Sequence, residues 1–173
     1  ALLWFALQQL LPTARAGNDP HRRRVRWLAG ATLAVLGVTL VSGAFMAGTH
    51  AGLIYNTIPL MDGRLVPEGY FRAPWHLAPF EDIATIHFNH RALAVLTLLL
   101  ALATWWRSRW LVLLPRARTA ARAVAGTAAL QVALGVATLL LVVPLPLAAL
   151  HQAGGVLLLS AVVWYLHELR APR

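Results

Sequence analysis

Four apolar runs, each about as long as a bilayer crossing, divide the chain, and the segments between them are arginine-rich or proline-rich. The runs cover about residues 27–48, 83–106, 120–143 and 147–167. Each supplies the roughly 20 apolar residues that a helix needs to cross ~30 Å of hydrocarbon. A lone strand in lipid would leave its backbone groups unpaired, so the runs read as helices. The pattern predicts an all-α integral membrane protein, with a four-transmembrane-helix bundle over 27–173. A shorter apolar stretch at 1–12 has about half the length of a span. It lacks a starting methionine, a basic leading region and a small-residue cleavage site, so it does not read as a signal peptide. It reads instead as the tail of a truncated transmembrane helix, which makes the chain a piece of something longer.

The connections are unequal. Residues 13–26 form an arginine-rich loop, the 107–122 region holds another cluster, and Arg170 and Arg173 follow the last run. Together these segments hold twelve arginines, whereas the outer loop 49–82 has only Arg64 and Arg72, offset by Asp62, Glu68, Glu81 and Asp82. The positive-inside bias puts the arginine-rich ends in the cytoplasm and the loop 49–82 outside, in a multi-pass protein of the cytoplasmic (inner) membrane. Pro59, Pro67, Pro74 and Pro79 alternate in that loop with Tyr55, Tyr70, Phe71, Trp75 and Phe80. A loop of this length is a candidate lid, and its rings suit the headgroup level.

Composition agrees. Apolar residues are 59% and charged residues 12% of the chain, the latter about half the usual share. The net charge of +9 is carried entirely by arginine. Because those arginines lie in short loops between spans, they serve topology and anionic headgroups rather than nucleic acid. The lack of cysteine excludes disulfides, zinc–thiolate sites and iron–sulfur ligation within the chain.

Candidate chemistry rests with the histidines. His21, His76 and His167 fall in loops or at a span end and read as solvated or interfacial. His90 and His151 lie inside the second and fourth runs, about seven and four residues from their outer ends. An ionisable side chain at that depth faces the bundle interior. Two imidazoles at similar depth on different helices suit a six-coordinate heme, one ligand on each face of the ring. They equally suit hydrogen bonding between helices, and His87, three residues before His90, leaves a small metal site open. Around them run small residues: Ala94, Thr97, Ala101 and Thr104 after His90, Gly154 and Gly155 after His151. Such stripes permit close helix approach or leave room for a flat macrocycle. Arg91 beside His90 would suit a heme propionate.

Several stretches resemble the heme A synthase family. Ser42 to Gly48 with Ala51 to Thr57 and Pro59 to Gly63 is similar to that family's fifth helix and outer loop. Phe88-Asn89-His90-Arg91 resembles its sixth-helix ligand motif, and Gln131 to Leu139 and Pro144 to Gln152 resemble its seventh and eighth helices. The resemblance implies one half of an eight-helix pseudo-repeat protein, with His90 and His151 as axial ligands of heme b. It implies an oxidoreductase that converts the methyl group of heme O to the formyl group of heme A, with water as oxygen source, for cytochrome oxidase assembly. The catalytic site would then lie in the other half, leaving this chain alone inactive. Implied partners are the bilayer and heme O, with heme O synthase, an electron-transfer protein and a second copy as further candidates. The competing class is a b-type cytochrome anchor that only transfers electrons. His50 and His87 depart from the family pattern, where Asp and Gln are common, and their roles stay open.

Overall fold

The computed structural model describes residues 2–10, 19–70, 72 and 74–170. Arg15, Phe71, Arg173 and residues 13–18 of the arginine-rich loop lie outside the described residues. The helices are α1 (Leu2–Leu10), α2 (Pro20–Gly48), α3 (Ala78–Glu81), α4 (Ile83–Ser108), α5 (Pro115–Leu140) and α6 (Leu145–Glu168). Of these, α2, α4, α5 and α6 are long and apolar enough to cross a membrane, in register with the four apolar runs.

Local chemistry sets the helix ends. Asp19 accepts a hydrogen bond from the His21 amide at 2.9 Å, and Pro20 opens α2. Asp82 caps α4 by accepting from the Thr85 amide at 2.7 Å. Pro115 opens α5, and Pro146 stands in the first turn of α6. Proline fits a first turn because its missing N–H has no intrahelical partner there. Hence α2 and α5 begin before the apolar runs at about 27 and 120. Arg22 to Arg26 are helical rather than loop, since arginine is a good helix former whose long stem lets the charge reach water. At its far end α5 stops earlier than 143. Val142 and Val143 turn left-handed, with φ of 60° and 56°, and the Val143 amide closes back on the Thr138 carbonyl at 2.8 Å.

Packing is in pairs. α2 lies along α4 and α5 along α6, with α4–α5 and α2–α6 contacts closing the bundle and α1 against α6. The α2–α4 seam is a ladder of hydroxyls: Thr32 with Thr104 at 3.1 Å, and Thr39 with Thr97 at 2.9 Å. The stripe of Thr97, Ala101 and Thr104 is thus the surface on which α2 approaches closely. Gly154 and Gly155 do the same elsewhere. A Cβ on Gly154 would collide with the Gln131 amide oxygen, and one on Gly155 would lie 2.9 Å from Leu40.

The buried apolar core occupies the arginine-rich half of the bundle, around Val25, Leu36, Ala101, Val124, Leu158 and Tyr165. Tyr165 hydrogen-bonds Ser108 there. One expectation is overturned at this end. His167 is fully buried rather than interfacial, packed against the Trp4 ring with centroids 5.5 Å apart. Beside it, buried Glu168 pairs with Arg116 at 2.8 Å. The α1–α6 contact covers this end of α6.

Leu157 and Leu158 are neighbours with opposite surroundings, 54% and 1% exposed. Leu158→Ala should lower stability in detergent by about 2 kcal/mol or more through the cavity it leaves. Leu157→Ala should stay within about 0.5 kcal/mol of the parent. Thermal unfolding of the two variants checks the inward face of α6.

Candidate functional site

His90 stands seven residues into α4 and His151 six residues into α6, counting from Ile83 and Leu145. At ~1.5 Å per residue the two are almost level. At this level the packing changes character. No residue of 40–48, 88–96, 129–137 or 145–154 is fully buried, although the helices are well filled nearer the arginine-rich end.

Each imidazole rests on a glycine of its paired helix. A Cβ at Gly43 of α2 would lie 3.2 Å from Cε1 of His90. One at Gly135 of α5 would lie 2.9 Å from Cε1 of His151. Any larger residue would push the rings out of place, so both glycines are needed for close approach.

The tautomer of His90 follows from its neighbours. Ser42 donates its hydroxyl hydrogen to the Thr39 carbonyl at 3.1 Å, and its oxygen lies 2.8 Å from His90 Nδ1. With that one hydrogen committed, the hydroxyl accepts from Nδ1–H. The lone pair of His90 is therefore on Nε2, the nitrogen a metal can take. His151 is held differently. Gln131 donates to its backbone carbonyl at 2.6 Å, and its Nδ1 is buried with no hydrogen-bond partner. Gln131 is a positioning residue that sequence reading placed only within a family motif.

Above this level the outer loop closes over the bundle. Arg91 donates from Nη1 to the Thr57 carbonyl at 2.9 Å, from Nη2 to the Tyr55 carbonyl at 2.8 Å, and from Nε to His87 Nε2 at 3.3 Å. The residue expected beside a propionate is thus first a clamp on the loop. Three of its five N–H groups are engaged, which leaves two for an anion. His87 is buried under Tyr55, ring centroids 5.6 Å apart, and its Nδ1 has no partner. Asn56 bridges the Gly52 and Leu139 carbonyls at 2.7 and 2.9 Å, tying the loop to the end of α5. Met61 is buried and pairs through its backbone with Arg64. Tyr70 donates to Asn89 at 3.2 Å and packs on Phe88. His21, His50 and His76 are exposed.

The donor set suits a heme better than a bare ion. Among the described residues no three His, Asp or Glu side chains gather. Two imidazoles complete the shell of a metal that brings four nitrogens of its own. The oriented Nε2 of His90, the unpartnered Nδ1 of His151 and the two glycines under the rings all fit such a group.

Comparison with known proteins gives a consistent picture. The family described as cytochrome oxidase assembly protein, COX15-CtaA, matches residues 1–163. A heme A synthase of Granulibacter bethesdensis is 49% identical over 173 residues, which cover 98% of this chain and 44% of the relative. One from Rhodospirillum centenum is 45% identical, covering 99% of this chain and 46% of the relative. The human heme A synthase COX15 is 37% identical, covering 98% and 42%. The chain therefore spans less than half the length of these relatives. No solved structure matches.

Arg91→Ala should free the loop from α4. Two charge-assisted bonds to carbonyls are lost, each worth about 1.5 kcal/mol or more. Limited proteolysis within the outer loop should then run at least about tenfold faster, while cleavage at the arginine-rich end stays unchanged.

Proposed function

The chain belongs to the COX15-CtaA family of cytochrome oxidase assembly proteins, the heme A synthases, and on that premise we propose that it is the heme b-holding half of such an enzyme. In this reading His90 and His151 would hold the heme iron, each giving a neutral imidazole nitrogen. The observation that carries it is the pair of level imidazoles, each seated on a neighbour's glycine where the bundle has no fully buried side chain.

The whole protein would oxidise a methyl group of heme O to a formyl group. With water as oxygen source, one water is consumed and four electrons and four protons leave. A heme held here supplies one-electron chemistry to a reaction of that kind. The residues of this chain hold and orient it. Ser42 and Gly43 fix the His90 ring, Gly135 and Gln131 fix His151 and its helix, and Arg91 offers two N–H groups toward a propionate. The loop closed by Arg91 and Asn56 keeps water off the outer edge. Family sites for the oxidation itself are expected outside these 173 residues.

The arginine-rich ends face the cytoplasm in this reading and the clamped loop faces outward. Heme O arrives from within the bilayer or from its synthase, and an electron carrier takes the electrons away.

Absorption and electron paramagnetic resonance spectra of the detergent-purified chain test the proposal. The parent should show a six-coordinate low-spin b-type heme. His90→Ala and His151→Ala should each abolish that signal, and Gly135→Ala should weaken heme retention about tenfold or more by displacing His151. A normal bis-imidazole spectrum in either histidine variant would sink the assignment. Expressed alone, the chain should yield no heme A; its appearance in extracted pigment would overturn the division between halves.

A further inference from the structure

We propose that Ser42 is a positioning residue for the His90 ligand, fixing its tautomer and setting how strongly it donates to a bound iron. The inference rests on the heme reading above and adds a residue that the pairing of histidines alone does not identify.

The geometry is a three-member relay. The Thr39 carbonyl accepts the Ser42 hydroxyl hydrogen, and the Ser42 oxygen accepts Nδ1–H of His90. Thr39 is itself locked, because its hydroxyl bonds the Val35 carbonyl at 2.8 Å and Thr97 at 2.9 Å. The relay thus ends in the α2–α4 ladder and has no freedom to swing. A ligating histidine whose second nitrogen donates to an acceptor is held in orientation and made a better electron donor. Stronger donation favours the ferric state and lowers the reduction potential.

His151 has no counterpart, since its Nδ1 is buried without a partner, and its ring rests on the Gly135 surface. The two axial positions are therefore unequal. The α4 ligand is electronically set by a hydroxyl, and the α6 ligand is set by shape.

The test compares the detergent-purified chain with Ser42→Ala and Ser42→Thr. In Ser42→Ala the heme should remain six-coordinate and low-spin, its midpoint potential should move upward, its g-value spread should change, and heme loss should be about tenfold faster. Ser42→Thr keeps the hydroxyl and should restore the parent potential. If Ser42→Ala does not fold, Ser42→Cys takes its place, with a weak thiol acceptor and a smaller shift in the same direction. A parent with a bis-imidazole spectrum and a Ser42→Ala variant with unchanged potential and g-values would overturn this inference alone. An equal shift in Ser42→Thr and Ser42→Ala would also overturn it, because the cause would then be steric. A parent with no bis-imidazole heme would overturn the heme reading, and this inference with it.

Discussion

A polar side chain inside a membrane helix has no water to turn to, and its partner must come from its own backbone or from another helix. The union of α2 with α4 is built on that constraint. Thr32, Thr39 and Ser42 are spaced along one face of α2. Each reaches across to a polar group of α4: Thr104, Thr97 and His90 respectively. Lipid offers little hydrophobic reason for two helices to associate, so close approach and hydrogen bonding determine which faces meet. Because His90 is the rung of the same ladder nearest the loop, the contact that joins the helices also aims its imidazole.

The second pair is joined on other terms. Between α5 and α6 the close approaches come from glycine: Gly135 under the His151 ring, and Gly154 under the Gln131 amide. Gln131 bonds the backbone carbonyl of His151 rather than its ring. The bundle is therefore two tightly joined pairs, with the buried apolar core between them at the arginine-rich end.

Much of this was legible in the sequence, for physical reasons. Spans are visible because lipid demands long apolar runs, and the two histidines stood out because ionisable groups are rare inside them. Family motifs then pointed to heme where depth and spacing left helix–helix hydrogen bonding and a metal ion open. Less visible were facts that depend on partners distant in sequence. Nothing local shows that Ser42 meets His90 across 48 residues, or that Asn56 meets the Leu139 carbonyl across 83. His167 was misread because its cover, Trp4, lies at the other end of the chain. Arg91 was seen as a partner for an anion because carbonyl acceptors in a loop have no sequence signature.

Arg91 is bonded to the loop and is also the next residue after His90. Covalent adjacency on a rigid helix makes the pair a lever with a very short arm. Any displacement of the Tyr55–Thr57 backbone is delivered to α4 one residue from the nitrogen that would hold the iron. The colour of a pigment at that position would therefore act as a strain gauge for the loop, registering events there without touching them.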